Sequence, residues 1–192
     1  MLSFDYKEKL IQLVGHNYAD GETRLKLLEE KRDDLECGRI SVEDFVPWAL
    51  QNLGSEASHE EFLAAWRSIF TPISATWELA KRLKAEGHRI ILFSNINAIH
   101  SPWIYEEYEI FRHFDDAVMS FEIGYMKPHT RFYEIAVEKC QLIPAETLYI
   151  DDLPANIKAG EEAGFHCHCY DWRNHAALES WLADHLASFA QE

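Results

Sequence analysis

Three short stretches of this sequence carry side chains that could do chemistry together: Ser94-Asn95, Lys127-Pro128 and Asp151-Asp152. The last is the most demanding. Two adjacent carboxylates repel each other, so they need a cation beside them or a shifted pKa. Oxygen donors of this kind favour Mg²⁺, which uses one or two carboxylates together with the oxygens of a phosphate. A hydroxyl with backbone N–H groups would hold phosphate oxygens, and a lysine would neutralise their charge. Each stretch also has a plainer reading: Ser94 as a helix cap, Lys127 as a solvated loop lysine, and the acid pair as a favourable opening to a helix. The ordered triple is more specific than any of its members.

The elements around these residues place them alike. Leu148-Tyr149-Ile150 is a short apolar run that reads as a buried strand. It runs directly into Asp151-Asp152, and Pro154 then opens a helix carrying Asn156 and Ile157 that stops near Gly164. Arg89 to Phe93 is a second buried strand, ending at Ser94-Asn95. Ala117 to Phe121 is a third, followed by the loop Gly124-Tyr125-Met126-Lys127-Pro128. Phe165 to Tyr170 is a fourth, and Ala176 to Phe189 is a closing helix. Strands alternating with helices predict a parallel α/β sheet, and in such sheets the carboxyl ends of the strands line the ligand crevice.

Residues 1 to about 70 follow a different pattern, helix after helix with no strand. Glu22 to Glu36 carries Leu25, Leu28 and Leu35 at helical spacing. Ser41-Val42-Glu43-Asp44 and Ser58-His59-Glu60-Glu61 resemble capping boxes, the first with Asp in place of Glu. Trp48 and Trp66 are expected in the core of this helical module. Thr71-Pro72 ends the pattern.

The 192 residues suit one domain, or a domain with an insertion, and 47% hydrophobic content is enough for a sizeable core. A formal charge of -15 repels phosphate backbones and anionic membranes, so nucleic acid and membrane are not expected partners. No apolar run approaches a membrane span, and the start is not a signal peptide. The cysteines Cys37, Cys140, Cys167 and Cys169 form no known spacing, and a reducing, cytoplasmic setting is the expectation. His166-Cys167-His168-Cys169 invites a zinc reading, but alternate residues of a strand face opposite sides, so the four cannot converge. Cys167 and Cys169 are expected in the core.

Ile91-Leu92-Phe93-Ser94-Asn95, Gly124-Tyr125-Met126-Lys127-Pro128 and Tyr149-Ile150-Asp151-Asp152 with Asn156 resemble the second, third and fourth motifs of the haloacid dehalogenase superfamily. With Trp103, Phe132 and Tyr133, the sequence is similar to the small-sugar-phosphate phosphatases of that superfamily, the α-D-glucose-1-phosphate phosphatase type. The resemblance spans essentially the whole chain. It implies a Rossmann-like three-layer core over residues 71–192 and a helical cap over residues 5–70. It implies that Ser94 and Asn95 bind phosphate, that Lys127 neutralises nucleophile and phosphate, and that Asp151 and Asp152 hold Mg²⁺, with Lys127 and Asp152 the catalytic residues present. The implied activity is hydrolysis of small phosphorylated metabolites through an aspartyl-phosphate. The acid pair favours this over a 2-haloacid dehalogenase, because displacing a halide creates no phosphate charge that needs a metal.

One motif of that family has no match. Its first motif, an apolar strand ending in Asp-x-Asp or Asp-x-Gly, supplies the nucleophile. Here Phe4-Asp5 has no apolar strand before it, and Lys7 stands where the second acid or glycine belongs. The first core strand is therefore expected to be missing, and the chain alone to be inactive. In the family that strand lies between the Ser94 and Asp151 strands, so a gap of nearly ~10 Å is expected there. Three outcomes are open: the natural start lies upstream of Met1, the flanking strands pair directly, or another segment or subunit fills the slot. A non-catalytic protein that binds a ligand or partner is the alternative function, and an open sheet edge would then favour a homodimer.

Overall fold

The computed structural model describes residues 1–16 and 20–189. They form two compact units, Met1–Met126 and Lys127–Glu192. The cut falls at Met126, not near residue 70 where the sequence pattern changes.

The first unit opens with β1 (Leu2–Phe4), which pairs antiparallel with β2 (Phe70–Pro72), Phe4 opposite Phe70. Between these strands lie α1 (Tyr6–Leu10), α2 (Gly21–Glu36), α3 (Val42–Leu53) and α4 (His59–Arg67). The helices start where the sequence provides caps. Ser58 and Glu61 form a complete capping box, Ser58 Oγ accepting from Glu61 N–H and Glu61 accepting from Ser58 N–H. At α3 the shorter Asp44 reaches only the Ser41 hydroxyl, so that box is half built. Leu25, Leu28 and Leu35 of α2 pack with Phe45, Phe62 and Trp66 into one apolar cluster. Trp66 lies inside it; Trp48 lies at its margin beneath the Lys31 ammonium. Gly38, at a φ of 64° just past α2, is required by space as well as by backbone, since a Cβ there would come within 2.3 Å of the Phe121 carbonyl oxygen.

The remainder of this unit holds α5 (Ser74–Ala85), β3 (Ile91–Ser94), α6 (His100–Glu107), β4 (Asp116–Met119) and the turn-long α7 (Ser120–Ile123). β3 and β4 run parallel, with Ser94 opposite Met119. The apolar run expected as a strand to Phe121 thus ends two residues early, where Ser120 turns the chain into α7. Asp5 does not end a buried strand. It lies after the antiparallel β1 and caps α1, accepting from Lys7 N–H.

The second unit contains α8 (Thr130–Cys140), β5 (Leu148–Asp151), α9 (Pro154–Glu162), β6 (His166–Cys169) and α10 (His175–Phe189). β5 and β6 are parallel, with Asp151 opposite Cys169. The fold is α/β, largely helical, with its parallel strands in two short pairs rather than one continuous sheet among the described residues. Cys167 is half-buried against Gly160 of α9, as its strand face requires. Cys169 is exposed, contrary to the expected core position: it is the last residue of β6, and among the described residues its thiol reaches only the Asp152 carbonyl oxygen, at 3.8 Å. The two histidines take the other face: the His168 ring lies 5.1 Å from Trp181 and the His166 ring 5.6 Å from His185, both on α10.

Candidate functional site

Asp151 ends β5 with a carboxylate that receives four hydrogen bonds. Its Oδ2 accepts from Lys127 Nζ at 2.6 Å and from the Tyr149 hydroxyl at 2.8 Å. Its Oδ1 accepts from Leu153 N–H and from Asn156 Nδ2, both at 2.9 Å. A carboxylate offers about four lone-pair directions, so all are taken. The side chains of Lys127 and Asp151 are 8% and 6% exposed, which makes this a buried ion pair. Burial alone would raise the Asp151 pKa; the Lys127 charge and the hydrogen bonds from Lys127, Leu153 and Asn156 outweigh it and hold the carboxyl below the usual range. Burial, more than the neighbouring Asp151 charge, drives the Tyr149 hydroxyl far above its ordinary value, so it stays a donor.

Asn156 is placed by Tyr133, whose hydroxyl donates to the Asn156 carbonyl at 2.9 Å. Its Nδ2 faces Asp151, which leaves Oδ1 buried with no partner among the described residues. Asp152 follows in the chain and is exposed. Lys127 and Asp151, 24 residues apart in sequence, are thus brought together, with Asp152 beside them at the strand end.

Ser94 and Asn95 belong to the first unit and are half-buried at the end of β3. The loop that follows them is pinned from two sides. Ser120 Oγ accepts from Ile96 N–H and donates to Ile96 O, both at 2.9 Å. Asn97 Oδ1 accepts from the N–H groups of Ile99 and His100, each at 3.1 Å. His100 Nδ1 meets Asn97 Nδ2 at 3.1 Å, and its Nε2 meets the Trp66 carbonyl at 2.9 Å. A carbonyl can only accept, so Nε2 carries the proton and Nδ1 accepts. Burial, chiefly, pushes the His100 pKa down to about 4. The His100 ring packs inside this unit, 5% exposed. Ser120 and Asn97 were not singled out at all, and nothing in their local sequence marks them.

A model of the haloacid dehalogenase-like hydrolases matches residues 13–164. The chain belongs to that family. Among curated relatives of this hydrolase, D-ribitol-5-phosphate phosphatase of Bacteroides thetaiotaomicron is 26% identical over 171 residues, covering 83% of this chain and 82% of the relative. Sesquiterpene phosphatase astK of Aspergillus oryzae is also 26% identical, over 70% of this chain and 69% of its own. Among solved structures, a HAD family enzyme from Bacteroides thetaiotaomicron superposes with a TM-score of 0.78 at 23% identity, over 92% of each chain. The fold of the hydrolase is therefore the one its motifs implied.

The donor set at β5 fits a divalent cation in one respect only. No group of three or more His, Cys, Asp or Glu side chains converges among the described residues. Asp152 is the exposed oxygen donor, while Asp151 has given its lone pairs to the protein. That suits Mg²⁺, which keeps water and phosphate oxygens around a small number of carboxylates.

Proposed function

We propose that this hydrolase is a phosphatase site for small phosphorylated metabolites of the sugar- or polyol-phosphate class, with Mg²⁺ as cofactor. The observation that carries the reading is the buried Lys127–Asp151 pair at the end of β5, with Asp152 exposed beside it. The two phosphatase relatives support it. In this reading Asp151 is a positioning residue: its two oxygens hold Lys127, the loop at Leu153 and Asn156 in fixed places. Lys127 presents a positive charge to the phosphoryl oxygens. In the first unit, Ser94 and the backbone at Asn95 are the phosphate-binding residues that the family resemblance implies, and the loop after them is pinned by Ser120 and Asn97. Asp152 is the side chain that would bind Mg²⁺, whose role when bound is to neutralise phosphate charge. Residues 5–70 are the cap, and the β1–β2 pair ties its two ends together.

The covalent step of the family needs an aspartate that attacks phosphorus and is later freed by water. Among the described residues none is seen in that role: Asp5 follows an antiparallel strand and spends its carboxylate on capping α1. We therefore propose that this chain alone binds phosphate esters without turning them over.

The test measures Mg²⁺-dependent phosphate release from p-nitrophenyl phosphate and ribitol 5-phosphate. This chain should stay at background. The same chain with an apolar strand ending in Asp-x-Gly grafted before Met1 should release phosphate, and adding Lys127→Ala should abolish that gain. Robust turnover by the ungrafted chain would refute the missing nucleophile. A folded but inert graft would refute the phosphatase.

A further inference from the structure

Arg67 is the last residue of α4, and it is half-buried. Its Nε is fully buried with no hydrogen-bond partner, and the side chain forms no ion pair among the described residues. This is anomalous in a chain with 33 acidic and 18 basic residues. Of the nine arginines, seven lie against a carboxylate. Arg112 is exposed and solvated. Arg67 alone combines partial burial with an unanswered donor. Leaving a buried donor unmade costs about 1–3 kcal/mol, more for a charged group, so such a group is expected to have a use.

Among the described residues no carboxylate forms an ion pair with it, and its aromatic neighbours are neutral. The preceding residue, Trp66, stacks on His100 with ring centres 5.9 Å apart and an interplanar angle of 15°. His100 is held neutral, mainly by burial, and the Arg67 charge adds to that by opposing its protonation. His100 in turn is bonded to Asn97, in the loop that follows Ser94-Asn95. A cation is thus kept at this corner of the first unit, close to His100, with a neutral imidazole as its neighbour.

We infer that Arg67 is a binding site for an oxyanion, a carboxylate or phosphate group of a ligand, which the guanidinium grips through its two terminal N–H₂ groups, Nε being sealed from solvent. Guanidinium matches such groups in a bidentate way that an ammonium cannot. Trp66 Nε1 is also buried without a partner. It lies one residue away, about 100° round the helix, and the inference does not use it.

The experiment follows thermal unfolding and tryptophan fluorescence of the full chain at low ionic strength, titrated with inorganic phosphate and, separately, with malonate. Sodium chloride at matched ionic strength is the control. One or both anions should raise Tm by at least ~3 °C, and which one does so identifies the source as phosphate or carboxylate. Arg67→Gln should unfold no earlier than the native chain without anion, and should weaken the anion's Kd at least ~10-fold. Arg67→Lys keeps the charge but loses the fork and should fall between the two. Equal stabilisation of native chain and Arg67→Gln would overturn the inference, as would no response of the native chain to either anion. If Arg67→Gln fails to fold, Arg67→Lys decides: binding as tight as native would overturn it. None of these outcomes depends on turnover, so they stand apart from the phosphatase tests.

Discussion

At the end of β5 the Lys127 ammonium lies 2.6 Å from Asp151, and that carboxylate has three further donors. At the end of α4 the Arg67 guanidinium meets no carboxylate, and the imidazole beside it is kept neutral. The first cation is buried and the second half-buried, yet only the first has its own counter-charge. The first is a finished electrostatic unit that fixes geometry before any ligand arrives. The second is left incomplete, and an anion would complete it. Removing a partner from the first should therefore hurt stability directly, whereas the second should respond to pH and to added anions.

The sharpest way to break the contrast is Lys127→Ala. It leaves a buried carboxylate with hydrogen bonds but no cation, which typically costs about 3–5 kcal/mol. Urea unfolding at pH 7 should show a loss of that order. The double variant Lys127→Met with Asp151→Asn removes both charges and should recover much of it. If Lys127→Ala is as stable as the native chain, the ion pair is not the anchor of β5.

Next comes pH. Asp151 has a folded pKa below its ordinary value near 3.9, so its contribution is full above that value and is lost as pH falls below it. His100 has a folded pKa of about 4 against about 6.5 when unfolded. The neutral ring is the one the fold accepts, so its contribution is full above about pH 6.5 and falls away between there and about pH 4, by roughly 3 kcal/mol. The two corners should fail in separate windows, the His100 corner first. His100→Gln should flatten the slope between pH 6.5 and 4 in a series of denaturation curves. An unchanged slope would remove His100 from the account.

The β5 corner was largely legible in the sequence, and the α4 corner was not. An apolar run, two acids and a proline at the first helical turn are local signals, and the strand they predicted is present within one residue. The sequence placed Lys127 and Asp151 at strand ends facing one crevice, but their direct ion pair was not legible, because 24 residues separate them and no local signal links them. Asp151 and Asp152 looked equivalent as metal ligands. Only the fold shows that one has spent its lone pairs and the other has not. At α4 the relevant fact is a missing partner, which no sequence pattern encodes. Cys169 misled for a related reason: period-two alternation assigns a face, but whether that face is covered at the strand's last residue depends on what packs there.

A third prediction concerns a group outside both corners. Glu36 ends α2, and burial, partly offset by Arg32, pushes its pKa up to about 7. An acid whose folded pKa is raised contributes fully below its unfolded pKa, near 4.3, and destabilises as pH rises through 7. Glu36→Gln should therefore stabilise the chain by about 1–3 kcal/mol at pH 8 and do little at pH 4. A loss of stability at pH 8 would mean that Glu36 has a partner.

The smallest effect tests whether the Asp151 cage works as a unit. Tyr149→Phe removes one of its four donors and leaves Lys127, Leu153 N–H and Asn156 in place. A single hydrogen bond to a charged group is worth about 1.5–3 kcal/mol. Deleting the hydroxyl also ends the desolvation of a buried phenol, so the net loss should fall below that range, at about 1 kcal/mol. In a double-mutant cycle with Lys127→Ala, independent contacts would add. If the cage is cooperative, the second deletion should cost clearly less than the first, because the carboxylate can reorient or take up water once either donor is gone. Strict additivity would mean that Asp151 is held by separate bonds, and that its role in positioning Lys127 rests on the ion pair alone.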